Sequence, residues 1–230
     1  MLIKGLQKLT LLDFPEKMAC TVFTFGCNFR CPFCHNASLV LSGRATEDSI
    51  SEEDLFAFLQ KRRGILEGVC VTGGEPTLMP DLLPFLQRIK DLGYAVKLDT
   101  NGSRPEVLKA AVEAGIVDYV AMDIKNSLAR YGETVGVACF DTSPIEASAA
   151  YLMEGRVPFE FRTTLVAGLH TAADMEAIGA WLRGEEAFFL QGFVDSGDLI
   201  GEGLGALPAS ETASLLAVLR RYVPNAQIRG

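Results

Sequence analysis

The chain has 230 residues, of which 49% are hydrophobic, and carries a net charge of −8; it is long enough to bury a core without disulfide bonds. The acidic balance argues against broad binding to nucleic acid or to anionic membranes. It contains no run of 18 apolar residues and no signal-peptide core near its start, so we expect a cytoplasmic protein that neither spans nor binds a membrane.

Apolar segments of strand length alternate with amphipathic segments of helical length along most of the chain. The predicted strands are 19–25, 68–73, 95–100, 117–124, 159–166 and 187–193. The predicted helices are 51–63, 81–93, 105–115, 143–155, 172–184 and 209–223. Ser51 is a candidate N-cap for the first helix, with Asp54 at the capping-box position.

This alternation predicts an α/β fold with one domain and a parallel sheet joined by right-handed crossovers. Six strand–helix units are too few for a closed eight-stranded barrel, so we expect an open, partial (β/α)6 TIM-like barrel; a doubly wound sheet is the alternative. We place the barrel in residues 19–195. Residues 1–18 are expected to form a hairpin at one edge, and residues 196–230 a C-terminal loop and closing helix.

Glycine and polar residues lie at or just after the carboxyl ends of the predicted strands. Since parallel α/β folds bind their ligands at these ends, and the ends meet on one side of the sheet, the pattern predicts a single site there. The candidate residues follow the strands in chain order: Cys27–Cys34, Gly73–Glu75, Asp99–Asn101, Asp123 with Lys125, Arg162, and Gln191.

Cys27, Cys31 and Cys34 form the spacing C-x3-C-x2-C on one predicted loop. Three thiolates on one loop suit a cubic 4Fe–4S cluster whose fourth iron has no protein ligand and stays open to a substrate. The alternatives are a zinc site completed by His35 or Cys70, and three unrelated buried cysteines. The other cysteines are expected to be buried as small hydrophobic side chains: Cys20, Cys70 and Cys139.

The cysteine motif, with Phe33 before its last cysteine, resembles the radical S-adenosylmethionine (SAM) superfamily, as do GGEP at 73–76, DTNG at 99–102 and MDIK at 122–125. The opening is similar to that of glycyl-radical-enzyme activating enzymes: GLQKLTLLDFPEKMACTVFTFGCNFRCPFCHN. The likeness is closest to the type that activates anaerobic ribonucleoside-triphosphate reductase, and pyruvate formate-lyase activating enzyme is a related type. It covers residues 5–195 and implies a partial (β/α)6 barrel.

The resemblance implies one 4Fe–4S cluster on the three cysteines, with SAM chelating the open iron through its amino and carboxylate groups. Phe33 is expected near the adenine. Gly73 and Gly74 are expected to let the backbone approach the ligand, and Glu75 to accept from the methionine ammonium; an ordinary turn is the alternative. Asp99 and Thr100 match a segment that binds a monovalent cation in pyruvate formate-lyase activating enzymes.

Further positions complete the implied cofactor pocket, which also includes Asn101. Asp123, Lys125 and Arg162 match positions that contact the methionine moiety, with the two cations as partners of its carboxylate; a buried ion pair between strands is the alternative. Gln191 stands where pyruvate formate-lyase activating enzymes have a histidine and is expected to hydrogen-bond the ribose. Two other residues are expected to order a loop or to pack rather than to catalyse: His35 and His170.

The resemblance further implies reductive cleavage of SAM to a 5′-deoxyadenosyl radical, which takes a hydrogen atom from a glycine of a partner enzyme under anaerobic conditions. A flavodoxin- or ferredoxin-type protein would supply the electron. The alternatives are activation of a different glycyl-radical enzyme, radical chemistry on a small molecule as in 7-carboxy-7-deazaguanine synthase, and a non-catalytic iron–sulfur carrier. The acidic loop at 195–203 is expected to be solvated, contact with a partner being the alternative.

Overall fold

The computed structural model describes residues 1–41, 49–184 and 187–229. Its strands are β1 (Ile3–Thr10), β2 (Ala19–Thr24), β3 (Gly68–Gly73), β4 (Ala95–Thr100), β5 (Tyr119–Asp123), β6 (Phe159–Leu165), β7 (Ala187–Gly192) and β8 (Gln227–Arg229). Its α-helices are α1 (Ala37–Leu41), α2 (Glu52–Arg62), α3 (Leu82–Asp91), α4 (Pro105–Glu113), α5 (Tyr131–Val135), α6 (Ser143–Met153), α7 (Ala172–Trp181) and α8 (Ala209–Leu219). None of these helices is long and apolar enough to cross a membrane.

The strands form one sheet whose spatial order follows the chain order, from β1 to β8. Strands β2 to β8 are parallel, and β1 pairs antiparallel with β2. The sheet is open, because β1 and β8 stay at its two edges in the part of the chain that the structure describes. The partial barrel is therefore confirmed, and the doubly wound alternative is wrong, since the strand order has no reversal. Two strands at the chain ends, β1 and β8, add to the six predicted.

The local signals in the sequence explain the element boundaries. Ser51 caps α2, since its hydroxyl accepts the backbone N–H of Asp54 at 3.0 Å. A full capping box between Thr171 and Asp174 starts α7. The first four residues of β2 and of β3 are all buried, as expected for parallel strands covered by helices on one face and by the barrel interior on the other.

Two expectations about individual segments are wrong. Cys20 and Cys70 are buried as predicted, but Cys139 is exposed, because it lies in the turn after α5 with a φ of 51°. The neighbouring Phe140 takes the inward position instead and stacks on Tyr131 with 5.5 Å between ring centroids. A loop has no periodic pattern of apolar residues, so the sequence did not show that Phe140 rather than Cys139 faces inward.

The loop at 195–203 is not merely solvated, because it packs on the loop that carries the cysteines. Gly201 N–H donates to the Pro32 carbonyl at 2.8 Å. Asp198 accepts from the backbone and the hydroxyl of Ser38, the latter at 2.8 Å, and so binds the first turn of α1. The acidic residue in this loop thus accepts hydrogen bonds in the first turn of a helix, where N–H groups lack intrahelical acceptors.

Candidate functional site

A cavity of about 440 Å³ opens at the carboxyl ends of the parallel strands. The fourteen residues singled out in the sequence all line it: Cys27, Cys31, Phe33, Cys34, Gly73, Gly74, Glu75, Asp99, Thr100, Asn101, Asp123, Lys125, Arg162 and Gln191. They come from six consecutive strand ends, which the parallel topology brings to one rim. The volume lies within the range usual for small-molecule sites.

The cysteine loop runs from the end of β2 to α1 and is held by backbone contacts on several sides. Gly26 N–H donates to the Leu39 carbonyl at 2.8 Å, and Arg30 N–H donates to the Val135 carbonyl at 2.8 Å. Buried Phe29 packs edge-on against Phe140, with 5.3 Å between ring centroids. These contacts fix the positions of the three thiols before any ligand binds.

The three thiols fit an iron–sulfur cluster better than a single metal ion. Among the described residues, no three Cys, His, Asp or Glu side chains converge closely enough to hold one ion. A zinc site needs such convergence, whereas in a cubic cluster each cysteine binds a different iron. Of the two residues proposed to complete a zinc site, Cys70 contacts the Asp99 carboxylate at 3.6 Å and His35 packs beside Phe193.

The Cys27 sulfur also receives hydrogen-bond donors, which suits a bound thiolate. The Phe29 N–H donates to Cys27 Sγ at 3.4 Å, and Asn101 Nδ2 lies 3.8 Å from the same sulfur. Burial raises the pKa of the Cys27 thiol and raises that of Cys31 to about 12. Both thiols therefore hold their protons in the absence of a positive partner, and binding of iron would release them.

The two glycines of the GGEP loop are required by packing within the protein. A Cβ at Gly73, whose φ is 119°, would lie 2.2 Å from Thr24 N, and one at Gly74 would lie 1.9 Å from Gly26 O. The loop crosses β2 this closely because Gly74 N–H donates to Thr24 O at 3.0 Å and Glu75 N–H to Gly26 O at 2.7 Å. Both glycines line the cavity, and a close approach of their backbone to a bound ligand stays a prediction.

Glu75 ties the GGEP loop to the DTNG loop. Its fully buried carboxylate accepts from Thr77 N–H at 3.0 Å, from Thr100 Oγ1 at 2.8 Å and from the Asn101 N–H at 2.6 Å. Burial raises the pKa of Glu75 and these donors lower it, with a net rise. An interaction of the same carboxylate with the methionine ammonium stays a prediction.

Five charged side chains form a continuous row across β4, β5 and β6, which we call the charge ladder: Lys97, Asp99, Arg162, Asp123 and Lys125. Asp99 contacts Lys97 Nζ through Oδ1 and Arg162 Nη1 through Oδ2, the latter at 3.1 Å. Asp123 contacts Arg162 Nε at 3.0 Å and Lys125 Nζ at 2.9 Å. The ion-pair alternative is therefore present in the structure, and four of the five members also line the cavity.

Four members of the ladder are kept charged despite burial: Asp99, Asp123, Lys125 and Arg162. Burial opposes ionisation of both aspartates, but Arg162 together with Lys97 or Lys125 outweighs it and lowers the pKa of Asp99 and of Asp123. Burial lowers the pKa of Lys125 and of Arg162, but Asp123 raises the pKa of Lys125 and Asp123 with Asp99 raises that of Arg162, with a net rise for both. With two carboxylates and three cations, the row carries one excess positive charge beside the cavity.

The aromatic and histidine residues occupy supporting positions. Phe33 is buried and lies edge-on to His170, with 6.4 Å between ring centroids. His170 packs as expected: its Nδ1 accepts Val166 N–H at 3.1 Å and its Nε2 lies 2.8 Å from the Lys125 carbonyl, which fixes the segment that carries Lys125. Gln191 lies one residue before the end of β7 and lines the cavity.

The sequence analysis missed Lys97 and the floor of the cavity. Lys97 is 1% exposed and could have been found from strand periodicity, since it shares a face with Asp99 two residues later. Further residues from β1, β2 and the turn between them line the floor: Gln7, Asp13, Thr21 and Phe23. No sequence signal singled these out, because they lie before the cysteine motif.

Comparison with known sequences identifies a family and several kinds of relative. The profile of the Radical SAM superfamily matches residues 21–142. The protein named "Putative glycyl-radical enzyme activating enzyme" from Methanocaldococcus jannaschii is 30% identical over 240 residues, covering 99% of this chain and 95% of the relative. A 7-carboxy-7-deazaguanine synthase from Koribacter versatilis is 31% identical over 138 residues, covering 59% of this chain and 56% of the relative.

Comparison with solved structures supports the architecture. SuiB from Streptococcus suis, solved with the precursor peptide SuiA, matches 95% of this chain with a TM-score of 0.71 at 15% identity. Coproporphyrinogen III oxidase from Escherichia coli matches 92% of it with a TM-score of 0.59 at 12% identity. This chain spans 50% of the SuiB chain and 53% of the oxidase. At these identities the likeness shows the partial-barrel fold alone.

Proposed function

Because this chain belongs to the radical SAM superfamily, we propose that it is an activating enzyme that generates a glycyl radical on a partner, an anaerobic ribonucleoside-triphosphate reductase. Members of the superfamily are enzymes whose cofactors are a 4Fe–4S cluster and SAM, and this chain is one of them. The activase role is supported chiefly by one observation, the 30% identity to a relative so named over nearly the full length of both chains.

The residues of the cavity have separable tasks in this proposal. When bound, the reduced cluster and SAM together supply a 5′-deoxyadenosyl radical that takes a hydrogen atom from a glycine Cα. Cys27, Cys31 and Cys34 would hold the cluster. Lys125 and Arg162 would orient the SAM carboxylate through charge-assisted hydrogen bonds. Phe33 would contact the adenine of SAM, and Gln191 would hydrogen-bond its ribose.

The open sheet is consistent with a protein substrate. A glycine in a polypeptide can reach the cavity only if a loop enters beside the barrel, and the edges at β1 and β8 leave the sheet unclosed in the described residues. The cavity must also exclude solvent, because a primary carbon radical reacts with whatever hydrogen donor is nearest. The entering loop would itself complete the enclosure. We further propose a flavodoxin- or ferredoxin-type protein as the electron donor.

The test has two stages, both carried out without oxygen. The protein is reconstituted with iron and sulfide, reduced and mixed with SAM, and 5′-deoxyadenosine is measured; the anaerobic reductase of the same genome is then added and its glycyl radical sought by electron paramagnetic resonance. We expect both signals for the wild type and for Cys139→Ala, whose thiol lies outside the cavity, and neither for Cys31→Ala. Formation of 5′-deoxyadenosine with no glycyl radical would refute the assigned partner.

A second candidate function is radical chemistry on a small molecule. Its support is the similarity to 7-carboxy-7-deazaguanine synthase over 59% of this chain, together with the polar cavity floor at Gln7, Asp13 and Thr21. The same assay separates the two candidates. A small-molecule enzyme would couple SAM cleavage to consumption of that molecule with no partner protein present, whereas the activase would transfer the radical only to protein.

A further inference from the structure

The charge ladder has no carboxylate oxygen without a protein cation. The Asp99 oxygens contact Lys97 and Arg162, and the Asp123 oxygens contact Arg162 and Lys125. Thr100, the other residue implied as a cation ligand, is engaged as well: its hydroxyl donates to Glu75 at 2.8 Å and accepts the Gly102 N–H at 3.1 Å. The implied ligands of a monovalent cation are thus bound to groups of the protein itself.

Lys97 forms its ion pair with Asp99. Its side chain is 1% exposed and does not line the cavity, so a bound cofactor would not reach its ammonium. Besides Asp99, the described residues provide one contact to Nζ, a long one from Cys70 Sγ at 3.9 Å. A buried ammonium requires a counter-charge, and Asp99 supplies it from the cavity side.

A metal cation would be disfavoured at this place on two grounds. Sodium and potassium ions bind through several oxygen atoms, and here these oxygens already accept hydrogen bonds from cations or donate to Glu75. The ladder itself has three cations for two carboxylates, so it offers a further cation no uncompensated carboxylate. The residues therefore do not fit the monovalent cation that the family resemblance implies.

We propose that the Lys97 ammonium takes the place of a monovalent metal cation beside Asp99, so that SAM binding by this protein requires neither sodium nor potassium. The inference rests on the proposed function in that SAM is the ligand of the cavity. Lys97 is a positioning residue: it holds Asp99 charged from behind the wall, and Asp99 in turn fixes Arg162 toward the cavity.

The first test measures SAM binding to the reconstituted protein by equilibrium dialysis in sodium, potassium or tetramethylammonium chloride at equal ionic strength. Tetramethylammonium is too large to enter a cation site. We expect the wild-type Kd to agree within about twofold in the three salts, and that of Lys97→Met to be at least about tenfold weaker in tetramethylammonium and regained with sodium or potassium. A wild-type protein that binds SAM only with a small cation would overturn the proposal.

The second test does not use SAM, so it separates this proposal from the proposed function. Thermal unfolding of the protein is followed in the same salts. The wild type and the control Lys109→Met, which alters only an exposed pair with Glu113, should unfold at the same temperature in each salt. Lys97→Met should be stabilised by sodium or potassium, and the neutral double variant Lys97→Met/Asp99→Asn should not. Equal insensitivity of Lys97→Met and the double variant to salt would refute the assignment.

If Lys97→Met does not fold, Lys97→Gln replaces it in both tests, and the unfolding temperature of the wild type in the three salts still tests the proposal. A wild type that unfolds at a higher temperature in potassium than in tetramethylammonium would show that the ladder leaves a cation site open, and would contradict the proposal. A wild type that binds no SAM in any salt but unfolds identically in all three would refute the SAM site while leaving the charge substitution by Lys97 supported.

Discussion

Replacing Gly74 by alanine is expected to displace the cysteine loop. The new Cβ would lie 1.9 Å from Gly26 O, where ordinary contact begins at 3.4 Å, so one of them must move by about 1.5 Å. The clash cannot be relieved by a side-chain rotation, because the Gly26 atoms involved are backbone atoms. Gly26 directly precedes Cys27, so a shift of Gly26 would move the first cysteine. The shift would also break the hydrogen bonds of Gly74 and Glu75 to the end of β2.

These terms give the expected magnitude. Overpacking of a close contact costs about 1–3 kcal/mol and each lost hydrogen bond about 1 kcal/mol, so the free energy of unfolding should fall by about 3–5 kcal/mol. For a chain of this length the corresponding fall in Tm is about 6–20 °C. Iron bound per chain after anaerobic reconstitution should fall as well, because the thiols no longer share one geometry.

Circular dichroism melting and iron analysis measure the two effects on one preparation. The matched control is Gly205→Ala, since a Cβ at Gly205 meets nothing within 4 Å and its φ is not positive. We expect the control to resemble the wild type in both measurements. If Gly74→Ala instead keeps the wild-type Tm and iron content, the close crossing of the GGEP loop over β2 does not position the cysteines.

Three further changes probe other contacts. Glu75→Gln should lower the free energy of unfolding, measured by denaturant titration, by about 2–3 kcal/mol. The amide nitrogen of the glutamine would replace an oxygen that accepts a hydrogen bond, such as the one from Asn101 N–H, and would face another donor. His170→Gln should flatten the loss of stability that we expect of the wild type as pH falls below 6.5: burial lowers the pKa of His170, so the unfolded chain takes up its proton first and acid favours unfolding. Arg229→Met should cost about 3 kcal/mol, since it leaves the fully buried Glu160 without its bidentate partner.

Each of these has an outcome that would contradict it. Exposed Glu113→Gln is the control for Glu75→Gln, and equal stability of the two variants would show that the buried carboxylate holds no loops together. A pH profile of His170→Gln that parallels the wild type from pH 7 to about 5 would assign the acid sensitivity elsewhere. For Arg229→Met, adding Glu160→Gln should recover part of the loss; no recovery would mean that the unpaired charge is not its cause.

The sequence predicted the site well because the rule that places it is topological. Once the apolar runs were assigned to parallel strands, the residues after each strand had to meet at one rim, and this holds for segments as distant as Cys27 and Gln191. The cysteine motif indicated the family, while the parallel topology indicated that the residues after each strand lie close together. Strand periodicity would also have shown Lys97 beside Asp99, had the same rule been applied within the strand.

What the sequence did not predict depends on contacts between distant segments. Asp198 binds Ser38 across 160 positions, and Arg229 binds Glu160 across 69, with no local pattern to announce either pairing. The strand β8 has three residues, too few for a period, and forms where Arg229 can reach a buried carboxylate. The glycines at 73 and 74 were found, but their physical reason required the position of the β2 backbone.

The surroundings of the cysteine loop explain how a chain of this size can support radical chemistry. The loop is fixed to the GGEP segment through Gly26, to α5 through Arg30 and to the C-terminal segment through Pro32, so three separate parts of the fold position the thiols. The charge ladder is fixed on rigid strands opposite. Because bound cofactors supply the reactive atoms, what the protein must provide is their relative placement, and loose loops would lose it. The open edge between β1 and β8 is consistent with the entry of a partner loop that we propose, since the sheet does not close there in the described residues.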